Sequence, residues 1–248
     1  MSLWIYGINP VNAVLKKRPK DVKEIIVIKA LEENKENERL LAIVEKAKQH
    51  NVRVKVQGFS ELNAELKEKA NAVHQRVFAF ITPPKMYDVK ELLKEAKPDS
   101  FFLMLDGVTD VHNIGAITRT AAAMGVDAII LPKDRTATIT ADVYKTSSGA
   151  VESLNIASEV NLVRSVEQLK EAGFWIYGFE EDGKQDIYKA DLKGKVCCVV
   201  GGEDSGIRRL LKENCDGLFK IPMKGDVQSL NASVSAGIVI YEVQRQRA

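Results

Sequence analysis

Val196-Cys197-Cys198-Val199-Val200 runs directly into Gly201-Gly202-Glu203-Asp204-Ser205-Gly206-Ile207. An unbroken apolar run of this length reads as a strand buried on both faces, which implies a parallel sheet covered by helices. The glycines after it allow close backbone approach to a ligand, and Glu203 places a carboxylate at the sheet edge. Phe101-Phe102-Leu103-Met104-Leu105 repeats the pattern and opens into a second polar loop, Asp106-Gly107-Val108-Thr109-Asp110-Val111-His112-Asn113. In open α/β sheets such strand ends are where ligands sit.

Further strands are expected near Ala128–Leu131, Phe174–Gly178 and Leu218–Ile221. Helices are expected near Asn113–Met124, Ala141–Ser148, Ser165–Ala172 and Leu230–Arg245. Asn113 reads as a natural helix cap. Arg119 lies two turns into a helix otherwise made of Ala, Ile, Thr and Met. The third loop is Ile221-Pro222-Met223-Lys224-Gly225-Asp226-Val227-Gln228-Ser229-Leu230-Asn231. It brings Ser229, Asn231, Ser233 and Ser235 to the positive end of a small-residue helix. One cap suffices for an ordinary helix start, so this density of small polar residues points to a bound polar ligand or a closely packed second backbone.

Ahead of this region, strands around Ile25–Ile28, Val52–Val56 and Val77–Ile81 alternate with helices near Pro10–Lys17, Lys35–His50 and Ser60–Ala70, a small α/β sandwich. The pair Pro83-Pro84 ends the last of these strands. The chain therefore divides into a front domain at 1–82, a linker at 83–98 with a short helix from Asp88 to Ala96, and a second domain at 99–248.

Charge follows the same division. Residues 1–97 carry 19 Lys and Arg against 13 Asp and Glu, a balance of +6, and residues 98–248 carry 17 against 21, a balance of −4. A basic front half suggests an anionic partner. The run Lys16-Lys17-Arg18-Pro19-Lys20 reads as a solvated helix end, ahead of a nucleic-acid contact or a targeting signal. Cys197 and Cys198 are strand neighbours pointing to opposite faces. With Cys215 they read as core thiols of a reducing cytoplasm, with no disulfide or metal site. No apolar run approaches the roughly 20 residues of a membrane span, and the start MSLWIYGINP lacks the progression of a secretory signal.

Several chemistries lack their motifs. There is no phosphate-loop signature, no G-x-G-x-x-G after a strand and no nucleophile elbow, and His50, His74 and His112 lack metal-ligand spacing.

The three loops, in this order and spacing, resemble the three motifs of the SpoU (TrmH-like) branch of the SPOUT RNA methyltransferases: Asn113…Arg119, Gly202-Glu203…Gly206 and Ile221-Pro222-Met223…Ser229-Leu230-Asn231. The longer run DGVTDVHNIGAITRTAAAMGVDAIILPKDRTATITADVYKTSSGAVE is most similar to the group that methylates a guanosine 2′-hydroxyl in large-subunit (23S) ribosomal RNA, in the peptidyl-transferase region. The front domain resembles that group's RNA-binding domain, which is related to a ribosomal-protein fold. Where the family has His-Gln-Gly-Val, this chain has His74-Gln75-Arg76-Val77.

The resemblance implies an α/β fold with a C-terminal parallel-sheet domain threaded into a trefoil knot, a homodimer, and S-adenosylmethionine as cofactor. It places the cofactor against Gly201, Gly202, Ile221, Met223 and Leu230. It assigns catalytic positions to Arg119, Asn113, Glu203, Ser229 and Asn231, with Arg119 near the 2′-hydroxyl. A guanidinium does not ordinarily deprotonate. Arg119 is therefore expected to bind the neighbouring phosphate and stabilise the developing alkoxide, with Asn113 and Glu203 orienting it and the ribose. Within the family, a transfer-RNA 2′-O-methyltransferase or a resistance enzyme modifying another rRNA site are the alternatives. Outside it stands an RNA-binding ribosome-assembly protein.

Overall fold

The computed structural model describes residues 2–29, 35–62, 64–69, 75–134, 139–203, 205–226 and 229–248. His74 lies outside these residues. The chain forms two compact units: Met1–Pro84 together with Ile139–Glu152, and Lys85–Thr138 together with Ser153–Ala248. The stretch 139–152, which the sequence assigns to the second domain, thus groups with the first unit.

In the first unit the order is β1 (Leu3–Tyr6), α1 (Ile8–Lys17), β2 (Val22–Ile28), α2 (Lys35–Gln49), β3 (Arg53–Gln57), α3 (Ala64–Lys69) and β4 (Val77–Ile81). The sheet runs β1-β4-β2-β3, with β4 antiparallel to both neighbours and β2 parallel to β3. The strand β1 was not foreseen: four residues, with a helix starting two residues later, are too few for a period to show. On α1, Val11, Val14 and Leu15 are buried at helical spacing, and Lys16 and Lys17 occupy its last turn, where cations complement the helix dipole. Gln75 and Arg76 adopt φ of 51° and 56°. Arg76 thus sits in the left-handed region that the family's glycine enters without steric cost.

Arg18 is not a solvated helix end. Its Nε and Nη2 donate to Glu152 at 2.7 and 3.0 Å, and its Nη1 donates to Asp21 at 2.7 Å. Glu152, with a side chain only 2% exposed, also accepts from the buried Tyr144 hydroxyl at 2.5 Å. Tyr6 donates to Asp142 at 2.6 Å. This network explains why 139–152 folds with the front unit: a buried carboxylate is tolerated only when charge and hydrogen bonds compensate it. Burial, then the Glu152 charge, pushes the Tyr144 hydroxyl well above its ordinary 10.0. Its contribution to stability is therefore complete below about pH 10 and is lost as pH rises beyond that. Glu152→Ala is expected to lower the stability of this unit by about 3 kcal/mol, because it removes the buried partner of the Arg18 guanidinium, leaving only Asp21 as its carboxylate among the described residues, and takes the acceptor from the buried Tyr144 hydroxyl. Urea denaturation checks this; an unchanged midpoint would make the network ornamental.

The second unit contains α4 (Val89–Lys94), β5 (Phe101–Asp106), α5 (Val111–Ala123) and β6 (Ala128–Pro132). The chain then forms α6 (Ala141–Thr146) in the first unit before returning. It continues with β7 (Asn155–Glu159), α7 (Leu162–Glu171), β8 (Trp175–Phe179), β9 (Gln185–Asp186), β10 (Val196–Gly201), α8 (Arg209–Glu213), β11 (Gly217–Lys220) and α9 (Ala232–Arg247). The sheet order is β7-β6-β5-β10-β8-β11-β9, and every pair is parallel. The chain lays β8 one place away from β5 and later inserts β10 into the gap. Phe102, Met104, Cys197 and Val199 fill one core layer, which alternation on the strands separates from Leu103, Leu105, Cys198 and Val200. The two apolar runs are strands of a parallel sheet, as read from the sequence, and the structure sets them side by side; Cys197 and Cys198 face opposite ways, as neighbours on a strand must. Cys215, a free cysteine like these two, packs on the Cys197 side, and burial pushes its thiol up to about 12.

Candidate active site

The carboxyl ends of β5 and β10 lie side by side, with Gly201 opposite Asp106. Gly202 donates its N–H to the Asp106 carbonyl at 2.8 Å. A Cβ at Gly202 would lie 2.4 Å from the Gly107 oxygen, and one at Gly201 would lie 2.1 Å from the Gly206 carbonyl carbon. Both glycines are therefore demanded by chain packed on chain at the strand ends.

Asp106, fully buried, holds the next turn. Its two oxygens accept from the Arg208 N–H at 2.8 Å and from Arg208 Nε at 2.7 Å. The sequence singled out neither residue for this pairing, because the partners are 102 positions apart. Glu180, another residue not foreseen, accepts from the Ile207 N–H and pairs with Lys212 on the far side of the same loop.

Asp110, not Asn113, caps α5: its side chain accepts from the His112 N–H at 2.9 Å. The helix starts at Val111, so Asn113 lies inside its first turn, buried, with its amide free to work elsewhere. That amide donates to Glu203 Oε1 at 3.1 Å. Asn231 caps α9 by accepting from the Ser233 N–H at 2.9 Å, and donates from Nδ2 to Asn113 Oδ1 at 3.0 Å and to Glu203 Oε1 at 2.5 Å. The Ala232 N–H also reaches Glu203 Oε1, at 3.3 Å. Three residues from three loops thus share one network in which Glu203 is the common acceptor. All the donors fall on Oε1, so Oε2 has no protein partner among the described residues.

Arg119 is not part of that network. It lies six residues beyond Asn113 on α5, about 9 Å along the helix axis, exposed and bonded to no described residue. Ser229 is exposed and likewise without a bond to a described residue. Ser233 donates its hydroxyl to Asn231. Ile221 and Leu230 are partly exposed and Met223 is exposed, and no backbone N–H of these three bonds a described residue.

Beside the network is a cavity of about 280 Å³, lined among others by Asp110, Asn113, Asp134, Glu203, Ser205 and Arg208. Its volume falls just below the usual range for small-molecule sites. Among the described residues no group of three or more His, Cys, Asp or Glu is arranged to hold a metal ion. No helix among them is long and apolar enough to cross a membrane.

Comparison with known proteins places these features. Residues 100–241 match the model of the SpoU rRNA methylase family, and residues 4–87 match that of the RNA 2′-O ribose methyltransferase substrate-binding domain. A 23S rRNA (guanosine-2′-O-)-methyltransferase RlmB of Xylella fastidiosa is 41% identical over 247 residues, covering 98% of this chain and 96% of the relative. Its counterpart in Neisseria meningitidis serogroup B is 42% identical over 244 residues, covering 98% and 95%. Among solved structures, the SpoU methyltransferase AviRb of Streptomyces viridochromogenes in complex with AdoMet is 22% identical. It superposes with a TM-score of 0.78 over 99% of this chain and 90% of that one, a likeness of fold. With both units matched and relatives aligned from end to end, the chain belongs to the SpoU rRNA methylase family.

Proposed function

We propose that this chain transfers a methyl group from S-adenosylmethionine to the 2′-hydroxyl of a guanosine in 23S rRNA, as a cytoplasmic homodimer. The observation that carries this reading is the network of Asn113, Glu203 and Asn231 at the strand ends of a chain aligned throughout its length with guanosine-2′-O-methyltransferases. Such full-length agreement favours ribosomal RNA over transfer RNA. A ribosome-assembly protein with no catalytic role would have no need of a carboxylate held by two amides on one oxygen with the other left open among the described residues.

The residues fit the cofactor by the chemistry they offer. Ile221, Met223 and Leu230 supply apolar walls and backbone N–H groups without acceptors among the described residues, which suits a flat heteroaromatic edge. Gly201 and Gly202 shape the loop behind them through packing. The cofactor supplies a methyl group already activated by positive charge, so the protein's main work is alignment.

Asn113 and Asn231 fix the Glu203 carboxylate from one side, leaving Oε2 to accept a hydrogen bond from a ribose hydroxyl. Arg119, always charged and with a side chain bonded to no described residue, is available to a backbone phosphate and to the oxygen on which negative charge grows. Ser229, exposed and just ahead of α9, is assigned to substrate contact. For the dimer, Val234 and Tyr241 are exposed on α9 with Ile238 partly exposed between them, an apolar stripe at helical spacing suited to a second copy.

The test uses total RNA from cells with and without the gene, incubated with purified protein and labelled S-adenosylmethionine, and the label is mapped to a nucleotide. The expected result is one 2′-O-methylguanosine in 23S rRNA, formed only in RNA from cells lacking the gene. Label in transfer RNA would overturn the substrate and keep the chemistry. Absence of cofactor binding would overturn the enzyme.

A further inference from the structure

The sheet of the first unit has one face under α1 and α2, and a second face that is covered only in part. On that second face Tyr6, Phe78, Ile26 and Ile28 are buried beneath Leu62, Leu66 and Ala141. One row further along the strands the described residues cover the face less completely. There Trp4 stands opposite Phe80, Phe80 opposite Glu24, and Glu24 opposite Arg53, a row that crosses the whole sheet. Three strand steps make it about 14 Å long. Trp4 and Phe80 are partly exposed, with ring centroids 4.9 Å apart.

Cations border this aromatic pair. Lys23 occupies the irregularity between Val22 and Glu24 in the pairing of β2 with β4. Its Nζ sits 5.4 Å from the Phe80 ring centroid and donates to the Ser2 hydroxyl at 2.7 Å. Arg53 and Lys55 lie at the other end, 3.5 and 2.8 Å from Glu24, the one carboxylate the described residues pair with them. Among the described residues, three positive charges against one negative around two aromatic rings on a sheet face match a strand of bases and phosphates. Apolar protein partners do not require such a rim.

We propose that the row from Trp4 to Arg53 is a platform for unpaired RNA, one base stacking on Trp4 and Phe80 while adjoining phosphates meet Lys23, Arg53 and Lys55. Single strands are favoured over duplex because only an unpaired base exposes its ring face to an aromatic side chain. The proposal deepens the RNA-methyltransferase reading and rests on it for the identity of the polymer. The match of residues 4–87 to a substrate-binding domain of such enzymes is consistent with it.

The experiment uses the full chain carrying Trp175→Phe, which leaves Trp4 as the only tryptophan. A short oligoadenylate, and separately a duplex of the same length, is titrated without methyl donor while tryptophan fluorescence is followed. The platform requires saturable quenching by the single strand and none by the duplex. Phe80→Leu, which keeps an apolar side chain, should weaken binding about tenfold and leave its salt dependence unaltered. Arg53→Gln, on a side chain 71% exposed, should reduce the slope of log affinity against log salt by about 1 without a change in melting temperature.

Equal quenching by the duplex, unaltered affinity in Phe80→Leu, or an unaltered salt slope in Arg53→Gln would each overturn the platform. These readouts involve no methyl transfer. Loss of the platform with labelled guanosine still formed leaves the enzyme reading intact, and quenching without any methyl transfer points the other way.

Discussion

Replacing Arg119 by alanine is expected to lower the methyl-transfer rate about 10²–10³-fold, the cost of removing one well-placed donor from a developing oxyanion. The same substitution should move the melting temperature by no more than about 2 °C, because the side chain is exposed and bonds no described residue. That pairing of a large kinetic effect with a negligible thermal one marks a residue retained for an external ligand. Arg119→Lys sharpens the test. Lysine keeps the charge but loses the planar fork, so a phosphate clamp predicts weakened activity throughout the pH range. Retained activity with a shifted basic limb would sink the clamp and make the side chain a proton acceptor. An unchanged rate in the alanine variant would remove Arg119 from the mechanism altogether.

Gly202→Ala and Gly201→Ala carry the largest expected loss of stability. The new methyl groups would fall 2.4 Å from the Gly107 oxygen and 2.1 Å from the Gly206 carbonyl carbon, both backbone atoms that have no rotamer to escape into. Relief at Gly202 requires the loops after β5 and β10 to separate, which would also break the Gly202–Asp106 hydrogen bond, and relief at Gly201 requires Gly206 and Ile207 to withdraw from the end of β10. We expect a loss of about 3 kcal/mol or more in urea denaturation, with methyl transfer falling in parallel. A variant with normal stability and impaired cofactor affinity would show instead that the glycines serve the ligand directly.

These two cases show which features can be read along a chain. Arg119, a lone charged residue on a helix of small side chains, reads by itself as an exposed arginine; the resemblance of its loop to the family's first motif is what singled it out. The glycines stood out for their place at a strand end as points of approach for a ligand, and the structure shows that they also admit the protein's own backbone. Asn113 was likewise visible as a polar residue near a helix start, and the structure gives the cap to Asp110 and turns Asn113 to a different task. The assignment of Asn113 and Glu203 to hold Arg119 does not describe the network, in which both amides hold Glu203 and Arg119 lies outside.

What the amino-acid order determined alone is the parallel sheet, the places of its main strands and the three loops that meet at its edge. Continuous apolar runs and clustered glycines are short-range signals that survive without knowledge of the fold. The tertiary structure decided that Asn113 bonds residues 90 and 118 positions away, since that depends on β10 entering the gap between β5 and β8. It also decided that residues 139–152 fold with the front unit. A buried carboxylate must find its charge partner wherever the chain provides one, and Glu152 finds Arg18, 134 residues upstream.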